Sequence, residues 1–239
     1  MRNWKLASAV VMALGAQAAY AELSVTPAVV SDYDFRGITQ SALDPALQLS
    51  ATYTFSNGIY VGTFASTLDD DSYPDAHLEL DGIIGIAGGD PESSFGWDVG
   101  FVYYGYPGNS DFDWQELYAG ISKGWFSAKL SYSPEFVGLD DSAFYIEGNG
   151  TFPLPHGFSL VTHVGYSFGD YWDAAEDTDS GNPYFDFAIG IAKTFGNVDV
   201  SLKYIDGSDL KAFDGTPGDV LTTEGKVWLS VSTTFPWGK

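Results

Sequence analysis

The chain alternates between apolar and small polar residues over short stretches, which is the pattern of β-strands with two different faces. Residues 47–55 show it most clearly, with the apolar side chains on one parity and the polar side chains on the other. Ser56-Asn57-Gly58 follows, and Asn-Gly supplies the positive φ that a tight hairpin turn requires. A second strand returns from Ile59 to Leu68 and ends at the acidic stretch Asp69 to Asp71. The rest of the chain repeats this hairpin.

The same alternation predicts twelve strands in all. Beside the pair described above, the predicted strands are 23–36, 77–87, 95–104, 114–122, 126–133, 143–152, 158–168, 184–194, 198–204 and 226–235. Connection length alternates in phase with the strand count, because short turns follow the even strands and longer, acidic loops follow the odd ones. Strands of about ten alternating residues are long enough to cross a bilayer at a tilt.

These features predict an all-β fold: a transmembrane antiparallel β-barrel of about twelve strands, with long acidic extracellular loops and short periplasmic turns. An even strand number places both termini on one side, and only a closed barrel leaves no unpaired strand edge in lipid. Aromatic residues near strand ends, among them Tyr33, Phe35, Phe95 and Phe126, match the girdles at the two membrane interfaces. A soluble β-sandwich is the alternative, but it does not require this alternation of connection length.

Residues 1–21 have the layout of a cleaved secretory signal peptide. Arg2 and Lys5 precede an apolar run, and Ala19-Tyr20-Ala21 is an A-x-A cleavage motif. We therefore expect export to the outer membrane of a Gram-negative bacterium and a single barrel domain over residues 22–239. After the signal, no apolar run approaches the ~18 residues expected of a membrane-spanning helix.

The composition excludes several classes of function. The chain has 32 acidic and 10 basic residues, and its formal net charge of −22 has the wrong sign for binding nucleic acid. It contains no cysteine, which excludes disulfide and thiol chemistry. The sequence predicts no cofactor and no metal site. Asp177 to Gly181 faintly resembles a calcium loop but lacks the final acidic ligand of such a loop.

Charged residues on the polar parity are predicted to line the lumen. Arg36 is the only arginine after the signal peptide, and it shares a strand face with Asp32 and Asp34. These residues predict either a charged constriction near the outer rim or an ion pair that ties the first strand to its neighbours. The other predicted pore-lining residues are Glu79, Asp81, Asp98, Glu116, Lys129, Glu147, Asp186, Asp199 and Lys203. Their acidic excess predicts a weak preference for cations.

Three functions stay open. The first is a narrow porin-like channel for passive diffusion of small solutes, since about twelve strands lies between filled small barrels and open porins. The second is a non-conducting structural barrel or adhesin that binds through its acidic loops. The third is an outer-membrane lipid hydrolase, because His163 shares a strand face with Ser159 and Ser167, although neither serine occupies a nucleophile elbow. The expected partners are outer-membrane lipid, lipopolysaccharide, the barrel-assembly machinery and small solutes, without nucleic acid.

A family resemblance agrees with the barrel. Residues 30–48, VSDYDFRGITQSALDPALQ, resemble the opening signature of the TorF-type porin family of proteobacteria, long classed as proteins of unknown function. Weaker similarities follow in order along nearly all of the mature chain, such as YYGYPG at 103–108 and HVGYSFG at 163–169. The resemblance implies an outer-membrane β-barrel with a porin role. The chain departs from the usual terminal aromatic residue of such barrels, because Pro-Trp-Gly-Lys follows Phe235.

Overall fold

A computed structural model describes residues 22–174, 182–208 and 221–237. The strands are β1 (Glu22–Val30), β2 (Asp34–Phe35), β3 (Ile38–Thr39), β4 (Ala46–Thr54), β5 (Ile59–Thr67), β6 (Leu78–Gly89), β7 (Gly96–Gly105), β8 (Trp114–Lys123), β9 (Phe126–Ser133), β10 (Ala143–Pro153), β11 (Phe158–Phe168), β12 (Tyr184–Phe195), β13 (Val198–Gly207) and β14 (Lys226–Thr233). One α-helix (Asp170–Ala174) and three 3₁₀ turns (Ser110–Phe112, Phe136–Gly138 and Pro155–Gly157) lie in the connections.

All strands except β2 and β3 form one closed barrel, in which β1 completes the ring between β4 and β14. Every neighbouring pair in the ring is antiparallel, which confirms the predicted twelve-stranded barrel. The predicted signal peptide, residues 1–21, lies outside the described residues and stays a prediction. The calcium-like stretch Asp177 to Gly181 also lies outside them.

Side-chain exposure separates the two parities of each barrel strand. On β7 the side chains of Trp97, Val99 and Tyr103 are exposed, whereas those of Asp98 and Tyr104 are buried inside the barrel. The other strands follow the same rule, so the outer surface is a continuous belt of large apolar side chains. Lipid accommodates such a surface and water does not. Among the residues described, no helix combines the length and the apolar character needed to cross a membrane.

The two ends of the barrel differ in their connections. One end carries the short turns 55–58, 90–95, 124–125, 154–157 and 196–197, together with both ends of the described chain. The other end carries the longer connections 31–45, 68–77, 106–113 and 134–142, together with the described parts of two more, 169–174 with 182–183 and 208 with 221–225. We refer to these as the short-turn end and the long-loop end.

The barrel seam extends beyond β14 to Phe235. The backbone N–H of Phe235 donates to Val25 O at 2.8 Å, and Phe235 O accepts from the Val25 N–H at 3.1 Å. Trp237 stacks on Phe235 with ring centroids 4.7 Å apart, and its Nε1 donates to Thr233 Oγ1 at 2.9 Å. The aromatic pair therefore closes the seam at the short-turn end although Phe235 is not the last residue.

The first predicted strand is wrong at its C-terminal end. β1 ends at Val30, and the chain then turns into the barrel, where β2 and β3 form a separate hairpin. We call residues 31–45 the inner hairpin. Arg36 and Gly37 form its turn with φ values of 55° and 83°, as a type I′ turn requires. The polar–apolar alternation continues to Arg36 because β2 is itself extended, so periodicity does not reveal the bend after Val30.

Candidate functional site

The inner hairpin occupies the lumen at the long-loop end. Phe35 packs edge-on against Tyr104 and Trp114, with ring centroids 6.0 Å and 6.2 Å apart. Tyr33 packs against Phe64 at 5.8 Å, so both aromatic residues of the hairpin lie inside the barrel and not in an interfacial girdle. Further buried aromatic side chains surround them: Tyr73, Tyr106, Tyr118, Phe136, Trp172, Tyr184 and Trp228. The long-loop half of the lumen is therefore filled in the manner of a soluble core.

Arg36 connects the tip of the inner hairpin to the barrel wall. Its guanidinium forms an ion pair with Glu116 of β8, and the two side chains are 10% and 3% exposed. The Arg36 Cζ atom lies 4.4 Å from the ring centre of Tyr145, and the Tyr184 hydroxyl donates to Arg36 O at 2.9 Å. This ion pair therefore joins the hairpin to β8, which is not a neighbour of β1 in the ring.

A second ion-pair group connects the base of the hairpin to β14. Lys226 Nζ lies 2.5 Å from Asp32 Oδ2 and 2.8 Å from Asp34 Oδ1. Trp228 Nε1 donates to Asp32 O at 2.7 Å, which fixes the backbone beside these charges. The sequence prediction missed Lys226, although its parity, shared with Trp228 and Ser230, indicated that it points inward.

Gly37 places the hairpin turn against β12. Its φ of 83° lies in the left-handed region, and a Cβ atom there would lie 2.6 Å from Asp186 Cβ. A residue with a side chain would meet both backbone strain and a steric clash at this position. The turn therefore seats directly on the predicted site residue Asp186.

Two acidic residues of β6 face the hairpin from a third side. Glu79 and Asp81 are 2% and 5% exposed, and the Tyr33 hydroxyl donates to Glu79 Oε1 at 2.5 Å. The structure therefore gathers seven of the predicted site residues on or around the inner hairpin. They are Asp32, Asp34, Arg36, Glu79, Asp81, Glu116 and Asp186.

A band of polar side chains crosses four neighbouring strands beside this cluster. Lys129 Nζ of β9 lies 3.6 Å from Glu147 Oε2 of β10, and Asn149 Nδ2 donates to Glu147 Oε1 at 3.1 Å. His163 of β11 continues the band, with Nδ1 2.7 Å from Asn149 Oδ1 and Nε2 2.7 Å from Asp186 Oδ1 of β12. Each inward charge in this band thus has a partner on the adjacent strand.

Of the remaining predicted site residues, Asp98 and Asp199 lie apart from the hairpin, whereas Lys203 lies beside Trp228, which donates to Asp32 O. The Tyr60 hydroxyl donates to Asp98 Oδ1 at 2.7 Å on the wall formed by β5 and β7. Asp199 Oδ1 accepts from Thr194 Oγ1 at 2.5 Å near the short-turn end. Lys203 Nζ lies 4.8 Å from the ring centre of Trp228.

Many inward positions of the short-turn half carry small side chains, although Tyr60 and Asp98 are larger. The small residues include Ser24, Thr26, Thr52, Gly62, Gly85, Ala87, Gly100, Gly120, Ser127, Gly190, Ser201, Ser230 and Ser232. Small side chains leave more of the lumen cross-section open than the aromatic residues of the other half. The described short-turn half therefore holds fewer aromatic side chains than the half that contains the inner hairpin.

The hydrolase prediction depended on His163 and the serines beside it. Both ring nitrogens of His163 have other partners, since Asn149 and Asp186 hydrogen-bond to them and the Tyr145 hydroxyl lies 3.0 Å from Nε2. No hydrogen bond joins His163 to Ser159 or Ser167 in the part of the chain that the structure describes. The arrangement is a structural network and not the serine–histidine pair of a hydrolase.

Comparison with protein families identifies the chain at the level of its family. Residues 15–235 match the family model described as "Bacterial protein of unknown function (Gcw_chp)". The chain belongs to this family. A comparison with curated proteins gives no match.

Solved structures with a similar fold are outer-membrane porins and channels. The KdgM porin is 9% identical with a TM-score of 0.55, and the match covers 90% of this chain and 99% of that one. The NanC porin is 11% identical with a TM-score of 0.55, covering 90% and 100% of the two chains. An outer membrane channel from Pseudomonas putida F1 is 10% identical with a TM-score of 0.52, covering 95% and 99%. At these identities the likeness establishes the porin-like barrel fold.

Proposed function

We propose that the chain is a non-enzymatic, narrow channel of the Gram-negative outer membrane that admits small solutes with a weak preference for cations. Bacterial outer-membrane barrels place short turns in the periplasm and long loops outside, so the short-turn end is the periplasmic end in this proposal. We also propose that a cleaved signal peptide directs export of the chain and that the chain is a TorF-type porin. Its proposed partners in the outer membrane are lipopolysaccharide and the barrel-assembly machinery. The belt of exposed apolar side chains supports a membrane location.

The observation that carries the cation preference is the balance of charge inside the barrel. Carboxylates outnumber basic side chains nine to four among the proposed pore-lining residues. The acids are Asp32, Asp34, Glu79, Asp81, Asp98, Glu116, Glu147, Asp186 and Asp199, and the bases are Arg36, Lys129, Lys203 and Lys226. Negative charge in a confined passage with low-dielectric walls concentrates cations and repels anions.

The same balance argues against large anionic solutes. One similar solved structure is the "KdgM porin in complex with disordered oligogalacturonate", with a TM-score of 0.53 and 9% identity. Oligogalacturonate carries a carboxylate on each sugar unit. An acidic lumen opposes the entry of such a polyanion, so we propose small cations and small neutral solutes for this chain.

The direct test is the ionic current through the full chain, refolded and inserted in a planar bilayer, under a KCl gradient. Discrete current steps with a reversal potential of the cation-selective sign are expected. Protein shown to be inserted and folded but electrically silent would contradict the channel. A reversal potential of the opposite sign would contradict the cation preference alone.

The filled long-loop half of the lumen favours a second candidate. A barrel whose outer half is packed with aromatic side chains could serve as a non-conducting structural protein or adhesin that binds through its acidic loops. This candidate predicts a silent bilayer together with binding of the intact protein to a surface ligand. Cation-selective current excludes it.

A further inference from the structure

We propose that the inner hairpin, residues 31–45, is a movable plug that two buried ion-pair groups hold in the closed position. The first group is Arg36 with Glu116, and the second is Lys226 with Asp32 and Asp34. We call these two groups the latch. The inference rests on the proposed channel function, because a plug regulates only a barrel that conducts.

The hairpin is not one of the strands of the barrel wall. β1 pairs directly with β4 and β14, so the ring of twelve strands closes without β2 and β3, which pair with each other. Among the described residues, three backbone hydrogen bonds join the hairpin to its surroundings: Ser31 N–H to Leu229 O of β14, Thr39 N–H to Thr222 O, and Asp69 N–H to Gln40 O. The hairpin can therefore leave the lumen by breaking these few bonds while the ring of twelve strands stays closed.

The latch joins the hairpin to two different strands of the wall, with a positive charge on the hairpin in one group and negative charges in the other. The hairpin supplies a cation to Glu116 on β8, and it supplies two carboxylates to Lys226 on β14. All five side chains are at most 16% exposed. Removal of one partner from a buried ion pair leaves an uncompensated charge, which is costly. The closed position therefore depends on both groups being complete.

The closed hairpin also holds a strained backbone. Arg36, Ala42 and Leu43 have φ values of 55°, 51° and 65°, although none of them is glycine. Left-handed backbone at such residues persists only where surrounding contacts enforce it. The contacts of the closed hairpin therefore help to enforce these left-handed conformations.

The position of the plug fits a gate. The hairpin lies within the aromatic half of the lumen, and Phe35 and Ile38 pack against the core that fills that half. The inward residues of the short-turn half are mostly small. Withdrawal of the hairpin therefore removes aromatic and charged side chains from the half of the lumen where large side chains are concentrated.

Thiol labelling tests the movement independently of conduction. The chain has no cysteine, so Ile38→Cys introduces a single thiol on the half-buried side of the hairpin. In the folded full chain in lipid vesicles, Arg36→Gln/Lys226→Gln is expected to raise the rate of labelling by a small maleimide by about tenfold or more, since labelling follows local opening. Lys193→Gln removes a basic charge from the outer wall, over Phe158, and is expected to leave the labelling rate at the parent value.

Glu116→Gln is the second variant, because it breaks one latch group while keeping the size of the wall side chain and both basic residues. It is expected to raise labelling in the same direction. Labelling that stays at the parent rate in a folded barrel with either latch variant would overturn the proposal. An equal rise in Lys193→Gln would also overturn it, because the effect would then not depend on the latch.

A disulfide that holds the hairpin in place tests whether movement of the hairpin controls the current. The Asp69 N–H donates to Gln40 O at 3.2 Å, so Gln40→Cys/Asp69→Cys places two cysteines on adjacent backbone segments. In the Arg36→Gln/Lys226→Gln background, reduction is expected to raise single-channel current above that of the parent, and oxidation to return it to the parent level. Lys193→Gln, on the outer wall over Phe158, controls for loss of a basic charge.

The two experiments give distinguishable failures. If the latch variant is labelled fast but the inserted protein carries no current, the result supports the movable hairpin and contradicts the channel function. Current in the parent with labelling unaffected by the latch variants would leave the channel standing and overturn the plug. The plug would also be overturned if the current rises in the latch variant but is the same with the disulfide oxidised and reduced, because the hairpin would then not be the part that moves.

Discussion

Lys226 Nζ, at the start of β14, lies 2.5 Å from Asp32 Oδ2 of the inner hairpin. The hairpin follows β1, which pairs with β14 at the barrel seam. The pair joins the first described loop to the last strand, almost the whole described chain apart. Both side chains are buried, at 8% and 5% exposed. Asp34 Oδ1 lies 2.8 Å from the same ammonium, so one lysine forms ion pairs with two carboxylates.

This relationship predicts a large effect of Lys226→Met on hairpin opening. The substitution leaves Asp32 and Asp34 buried beside each other without a cation, which costs about 3–5 kcal/mol. We expect the free energy of opening, measured from labelling of Ile38→Cys, to fall by that order. Adding Asp32→Asn/Asp34→Asn to Lys226→Met removes the unpaired charges and is expected to restore part of the loss. A triple variant that opens as readily as Lys226→Met alone would contradict the electrostatic explanation.

A second prediction concerns the close contact between the hairpin turn at Gly37 and Asp186 of β12. Gly37→Ala meets Asp186 Cβ at 2.6 Å and occupies a left-handed conformation. Left-handed backbone alone costs a non-glycine residue about 1–3 kcal/mol, and the clash adds to it. We expect faster labelling of Ile38→Cys in this variant.

The matched control for Gly37→Ala is Gly196→Ala in the turn between β12 and β13. Gly196 has a φ of 66°, but a Cβ there meets no atom within 4 Å. Its replacement is expected to leave hairpin labelling unchanged, because the turn lies at the opposite end of the barrel. Equal labelling of the two variants would show that the close approach to Asp186 is not what seats the hairpin.

A third prediction concerns ion selectivity. Asp98 faces the lumen away from the inner hairpin, where its carboxylate accepts from Tyr60. Asp98→Asn removes one inward negative charge with little change in volume, so we expect the reversal potential under a KCl gradient to move towards zero. Asp206→Asn removes a carboxylate that pairs with the outward Tyr204, and it is expected to keep the parent potential. Identical shifts in both variants would assign selectivity to overall charge and not to the lumen.

A fourth prediction tests the apolar belt. Leu202 on β13 points outward and is 44% exposed in the protein alone. If lipid covers it, Leu202→Arg costs about 2–4 kcal/mol near the centre of the bilayer. Folding into lipid vesicles, followed by urea titration, measures this loss. Leu139→Arg is the control, because Leu139 is 52% exposed but lies in the connection between β9 and β10. Equal losses for the two variants would contradict the proposed membrane belt.

The sequence by itself determined the wall of the barrel. The bounds predicted for β9 and β11, residues 126–133 and 158–168, are those found, and the predicted inward parity holds on every barrel strand. Strand alternation is a local property, since each residue points to the face opposite its neighbours whatever the rest of the chain does. Turn chemistry is equally local, and Ser56-Asn57-Gly58 forms the tight turn that its residues predicted.

Only the tertiary structure decided where residues 31–45 go and what their charges meet. A hairpin that enters the lumen and a strand that stays in the wall share the same alternation, so Asp32, Asp34 and Arg36 fitted both. Their partners, Glu116 and Lys226, lie on distant strands that become neighbours of the hairpin when the ring of twelve strands closes. Such contacts depend on closure of the whole barrel, and no local pattern along the chain encodes them.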